Sequence, residues 1–407
     1  MSETPPAQQS RLSEPLPAAA RLLHIGLPKT GTTALQSTAQ ARREALLEHG
    51  VLYPGGGLNH REAVSALMGR RWGWMGPGAI VPPMAHWERL MDAVQRESSR
   101  RIWISHEFAS EADDEMAARF ASELGERIQV VVTLRPFAAI LGSSWQQYLK
   151  GGTTHTFDYW LRSVLADPPK QTVTPSFHRR NDQAGVIRRW AAAAGADHVT
   201  AVVVDKARPT QLTDAFEALL DLPSGFLVDR SLGGLRANRS MSVQESELMR
   251  RVNLAIKGQG VEWSQYEALL REGGIARMLE ARVPDERETM LSLPTWAAER
   301  ASELGRQYAE SIAASGVRVI GDLDVLAAPV AGSSERPATP KSVRLDVATE
   351  FIVGTLSAGL GRGAFFEEPS DAEPVRRLLR GVRTRALAEE VSARVRRAAA
   401  RRLRLRR

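Results

Sequence analysis

The amino-acid sequence predicts an α/β protein: a central parallel sheet flanked by helices, with a helical, basic C-terminal extension. Three observations predict it. Short apolar, β-branched runs recur at 21–26, 101–105, 128–134 and 198–204. Segments of helical spacing lie between them, and this alternation marks βαβ units whose strands are buried on both faces. Composition then changes: residues 371–407 hold 13 Arg and 4 acidic residues, net +9, against +7 for the whole chain, leaving −2 for 1–370.

The bulk composition narrows the function classes. Hydrophobic residues make up 43% and charged residues 25%, ordinary for a globular protein. There is no Cys, hence no disulfide framework, thiolate zinc site or Cys nucleophile. No uncharged apolar stretch reaches about 18 residues, so no membrane span is expected. Residues 1–19 read as a disordered leader without the apolar core of a secretory signal, and the expected location is the cytoplasm. A nearly neutral body lacks the positive face of a nucleic-acid enzyme.

Taken in order, the run 21–26 is a buried strand that stops at a turn. Residues 32–49 have helical spacing, with Leu35, Ala39, Leu46 and Leu47 toward one side and Gly50 where a helix ends. A short extended piece, 51–54, follows. The stretch 55–87 is rich in Gly and Pro and reads as irregular; its Trp72, Trp74 and Trp87 either line a cleft or cover the core. Strand 101–105 leads to helix 112–124, and strand 128–134 to helices 137–150 and 182–194. Beyond strand 198–204, helices are expected at 209–220, 243–257 and 295–315, and 320–324 closes the main domain. The expected organisation is a domain over 20–327, a linker over 328–343 and an extension over 344–407 with helical patterns at 344–360 and 372–405.

The most informative segment is His24-Ile-Gly-Leu-Pro-Lys-Thr-Gly-Thr-Thr33. A strand ends, a Gly-containing turn follows and a helix begins, which aims several backbone amides and the positive end of a helix dipole at one spot. Lys29 adds a cation there, and Thr32 and Thr33 add hydroxyl donors. In the nucleotide-triphosphatase P-loop the Lys directly follows the second Gly; here Lys29 precedes Gly31 by two residues. The hexapeptide Pro28-Lys-Thr-Gly-Thr-Thr33 instead resembles the 5′-phosphosulfate loop of sulfotransferases that use 3′-phosphoadenosine 5′-phosphosulfate (PAPS). That resemblance implies the P-loop-like sulfotransferase fold, PAPS as co-substrate and no metal. It assigns Lys29, Thr30, Gly31, Thr32 and Thr33 to the phosphosulfate.

A second motif has the family's order. Arg135 ends the run 128–134 and Ser143 follows eight residues later, the interval at which the family grips the 3′-phosphate. Pro136 suits a first helical turn, and two turns return Ser143 to the side of Arg135. Ser143-Ser-Trp-Gln-Gln147, Ala237-Asn-Arg-Ser-Met-Ser242 and Gly321-Asp-Leu are similar to stretches of the bacterial members. Asn238 and Ser240 either approach the nucleotide or cap the 243–257 helix.

The base that accepts the acceptor's proton is expected at the carboxyl edge of the sheet. Three candidates stand there: Glu107, His106 beside it, and His60 after the first βα unit. The expected acceptor is a hydroxyl or amine on a small molecule or carbohydrate. The alternatives are a P-loop kinase or NTPase, and a non-catalytic nucleotide-binding protein on the same fold. The tail alternates Val375, Leu378, Leu379, Val382, Ala386, Val391 and Val395 with Arg, a basic amphipathic pattern that suits an anionic membrane surface or a protein partner, while nucleic acid is not expected. The oligomeric state stays open.

Overall fold

The computed structural model describes residues 14–72, 75, 78–170, 172–228, 239–330 and 340–361. The first βα unit is β1 (Arg21–His24), α1 (Thr32–Ala41), α2 (Arg43–Glu48) and β2 (Val51–Leu52). Helices α3 (Arg61–Met68) and α4 (Ala85–Arg96) lead to β3 (Arg101–Ser105), a 3-10 turn Glu107–Glu111 and α5 (Asp114–Leu124). Strand β4 (Ile128–Leu134) precedes α6 (Phe137–Leu149), α7 (Phe157–Val164), α8 (Phe177–Asn181) and α9 (Gln183–Ala194). Strand β5 (Val199–Val203), α10 (Gln211–Leu220), α11 (Val243–Ile256), α12 (Thr295–Ala313) and β6 (Arg318–Ile320) complete this part.

All six strands run parallel in one sheet, in the order β2-β3-β1-β4-β5-β6. Every residue of β4 and β5 is buried, as strands covered on both faces require. On one face Leu22, Trp103, Val131 and Val202 pack with Leu35 and Ala39 of α1 and with Phe216 and Leu219 of α10. Helix α9 packs on β4 and β5. The central strand β1 pairs His24 with Ser105 on one side and Val131 on the other. The chain leaves β1 toward β2 but leaves β4 toward β5, so the β1/β4 boundary is where the connections diverge. Open α/β sheets form a crevice there, at the carboxyl ends of the strands.

The expected strands and most helices form, with four differences, one of them an unexpected helical run over 263–281. The helix over 32–49 is two, broken at Arg42, whose amide bonds back to Thr38 while its φ of −109° leaves the helical range. The irregular 55–87 stretch contains α3 and the start of α4, and Trp72 and Trp87 are buried over the core rather than lining a cleft; Trp74 lies outside the described residues. Helices α7 and α8 sit where no helix is expected. The basic segment 372–405 also falls outside the described residues.

The chain divides into two compact units, and among the described residues the second joins 264–283 to 344–361. The segment 264–283, within the span 20–327, is grouped with the C-terminal helix. Within that unit a π-helical run, Glu267–Ile275, continues into Ala276–Ala281 and packs on α13 (Leu345–Gly359). Glycines make the packing close: a Cβ on Gly354 would stand 2.5 Å from the Gly273 carbonyl oxygen. Arg277–Glu350 (2.8 Å) and Arg282–Asp346 (2.9 Å) flank the contact.

Candidate active site

The site grows out of the end of β1. Beyond His24 the chain keeps bonding to β4: Ile25 donates to the Val131 carbonyl and Leu27 to the Thr133 carbonyl. Two residues further along each segment stand Lys29 and Arg135, and the Arg135 guanidinium donates to the Lys29 carbonyl at 2.5 Å. Burial lowers the Arg135 pKa from its usual value, though such a group stays cationic. Gln183, at the start of α9, donates to the Arg135 carbonyl at 2.8 Å and fixes that backbone. The two expected anion-binding elements thus meet at the β1/β4 boundary.

The turn has the backbone an anion cradle needs. Gly31 has φ +93° and is the N-cap of α1, with no side chain capping the helix. The first amides of a helix lack intrahelical acceptors and are open to an anion. Lys29 adopts φ +74°, an uncommon conformation for a non-glycine residue, and is exposed, as is Thr33. Thr30 and Thr32 point inward instead. Thr30 donates to the Leu27 carbonyl at 2.6 Å, and its oxygen lies 2.6 Å from that of Thr133 and 3.4 Å from that of Thr32. Of the hydroxyls expected on the anion, only that of Thr33 is on the exposed side; Thr30 and Thr32 brace the turn from beneath.

The three candidate bases have different surroundings. Glu107 is half-buried, and burial is the largest influence on its carboxyl, raising the pKa; Gln36 and the positive charge of Lys29 act in the opposite sense. His106 is buried edge-on against Trp72, at 4.9 Å between ring centres, with Nδ1 accepting from the Phe108 amide and its pKa lowered to about 3 by burial. His60 is also buried. Its Nδ1 accepts from the Ser105 amide at 3.0 Å, so its Nε2 donates to the Pro54 carbonyl at 3.0 Å, and burial lowers its pKa to about 4. His60 clasps the end of β3, and His106 caps the turn after it. Glu107 alone of the three combines partial exposure with electrostatic contact to Lys29.

No family model, curated protein or solved structure matches the chain.

Ser143 lies on α6 after Arg135, and its hydroxyl donates to the Ile140 carbonyl at 3.0 Å, so gripping an anion requires that hydroxyl to rotate. In the neighbouring motif Gln146 holds the later segment: it donates to the Met241 carbonyl at 2.7 Å and accepts from the Met241 amide at 3.0 Å. The cap of α11 is Ser242, in a reciprocal capping box with Glu245, and Ser240 is exposed before it. Asn238 lies outside the described residues. Sequence spacing missed Gln36, Asn59, Ser105, Thr133 and Gln183, because these residues come together only when strands distant in the chain align.

Proposed function

We propose that this protein is a sulfotransferase that moves a sulfuryl group from PAPS to a hydroxyl or amine of a small molecule or carbohydrate. The observation that carries the reading is the Arg135 contact with the Lys29 carbonyl, which brings together the two segments that resemble the family's anion-binding elements. The resemblance of Pro28–Thr33 and of the Arg135/Ser143 interval to the family supports it.

In the proposed reaction the acceptor oxygen or nitrogen attacks sulfur in line. The bond from sulfur to the bridging oxygen of the 5′-phosphate breaks, and 3′-phosphoadenosine 5′-phosphate (PAP) leaves. Charge gathers on that oxygen, where Lys29 and the turn amides stabilise it, and the acceptor's proton passes to Glu107. By analogy with phosphoryl transfer, alignment and charge stabilisation do most of the work. The reading locates the enzyme in the cytoplasm and assigns the Arg-rich 372–407 segment to a peripheral contact with an anionic membrane surface or a protein partner.

The test is binding of PAP followed by thermal unfolding. Ligand at 100 times its Kd stabilises a one-site protein by about 2.7 kcal/mol. Lys29→Ala and Arg135→Ala each remove hydrogen bonds to a charged oxygen, worth about 1.5–3 kcal/mol apiece, so affinity should fall by roughly 10- to 100-fold. ATP turnover with no response to PAP would overturn the proposal in favour of a kinase or NTPase. PAP binding without transfer to any acceptor in a broad screen would reduce it to a nucleotide-binding protein.

A further inference from the structure

A line of six polar side chains crosses the carboxyl edge of the sheet from the 53–60 loop to the anion turn: Asn59, Gln36, Ser105, His24, Thr133 and Thr30. They sit on a loop, α1, β3, β1, β4 and the turn. All but Asn59 are buried, and His24 is fully enclosed at the centre of the line.

The direction of each hydrogen bond follows from one fixed end. The Leu27 carbonyl only accepts, so the single proton of the Thr30 hydroxyl goes to it, at 2.6 Å. Thr30 therefore accepts from Thr133, also at 2.6 Å. With its own proton so engaged, Thr133 accepts from His24 Nε2 across 3.5 Å, the longest link of the imidazole. Burial keeps His24 neutral, with its pKa lowered to about 3, so Nδ1 carries no proton and accepts from Ser105 at 2.9 Å. Ser105 accepts from the Gln36 amide nitrogen at 3.1 Å, and the same nitrogen reaches Glu107 at 3.5 Å. The Gln36 oxygen accepts from Asn59 at 3.1 Å, whose own oxygen accepts from the Arg61 amide. Along the line, apart from the Gln36 branch to Glu107, each donor points toward the turn of Lys29 and Gly31.

We infer that His24 is a positioning residue, held in its Nε2–H tautomer, that joins the turn of Lys29 and Gly31 to the Glu107 carboxylate in one ordered hydrogen-bond unit. At one end the unit braces Thr30 beneath the turn of Lys29 and Gly31. At the other it holds the Gln36 amide that contacts Glu107. Chains of this kind act as a unit, and deletions within them are not additive. The inference deepens the sulfotransferase reading and rests on it for the meaning of the two ends; the hydrogen-bond order rests on the geometry alone.

The test uses the whole protein with Ser105→Ala, Thr133→Val and the double variant. These substitutions remove one hydroxyl each on opposite sides of His24 and keep nearly the same volume. Nitrogen-15 NMR of the imidazole should show Nε2 protonated and Nδ1 as an acceptor in the unsubstituted protein. Thr133→Val removes the acceptor of Nε2–H, and the tautomer should shift toward Nδ1–H. PAP affinity should fall by about 10-fold in Thr133→Val, and the double variant should lose at least 3-fold less than the product of the single losses. The same cycle read on the unfolding equilibrium needs no ligand. Additive losses there, or an imidazole that is Nδ1-protonated or charged at pH 7, would overturn the inference. Failure of the unsubstituted protein to bind PAP would instead strike the sulfotransferase reading, leaving the tautomer and unfolding cycle to decide this one.

Discussion

Glu107 shows how burial sets both chemistry and cost at one side chain. Its raised pKa means that the native state holds the carboxyl proton more firmly than the unfolded chain does. Its stability contribution is full below the unfolded pKa and is lost as pH rises through the higher native one. Above that native pKa the charge is a burden, so Glu107→Gln should raise the unfolding midpoint there and, in the proposed reaction, lower turnover by about 10²- to 10⁴-fold. PAP affinity should persist, and unchanged turnover would remove Glu107 from the mechanism. A base must be ionised, so the acid limb of the rate profile should lie above the ordinary carboxylate range. The buried imidazoles have the opposite sign. His24, His60 and His106 have native pKa values of about 3, 4 and 3. Unfolded, they titrate near ~6.5, so stability present above that pH drains away as pH falls toward 4. Three protons correspond to a slope of up to about 4 kcal/mol per pH unit, partly offset by Glu107. Urea midpoints measured from pH 4.5 to 7.5 should show this fall; a flat profile would contradict the buried, neutral assignment.

Elements differ in how much of them local sequence reveals. Lys29, Gly31 and Arg135 were legible because each occupies a fixed place in a strand-turn-helix pattern. The break at Arg42 was not, since neither Gly nor Pro marks it. Helix α3 was hidden by flanking Gly and Pro, although Ala63, Val64 and Leu67 have helical spacing and Gly69 ends it. The polar line through His24 was invisible because its order depends on the β3-β1-β4 register. A buried ion pair was equally hidden: Glu111, after β3, meets Arg180 of α8, while Arg180 also donates to Tyr148 of α6 at 2.6 Å and Arg70 reaches Glu111 at 3.2 Å. Removing one member of a buried pair typically costs about 3–5 kcal/mol. Arg180→Met should therefore destabilise by about that amount in urea unfolding, and adding Glu111→Gln should recover much of it. A loss below about 1 kcal/mol would show that Arg70 alone compensates Glu111.

The whole molecule is electrically divided, with net +9 in residues 371–407 against −2 in the rest. Each basic residue near an anionic surface contributes up to ~1 kcal/mol at low salt. Deleting 371–407 should abolish salt-sensitive cosedimentation with phosphatidylserine-containing vesicles and leave the PAP-dependent thermal shift intact. Undiminished vesicle binding would dismiss the lipid contact. The same deletion leaves α13 and its glycine-mediated packing in place, because that contact involves only residues before 361.

The outermost strands of the sheet are β2, with two residues, and β6, with three. Among the described residues, a stray polypeptide therefore finds no lengthy row of open amides and carbonyls at the outer edge of either strand. Clumping through the edges of this sheet would accordingly require the interior strands to open. On the proposed function, a nucleotide bound at the β1/β4 boundary would delay turbidity in step with the melting transition, guarding solubility as a by-product.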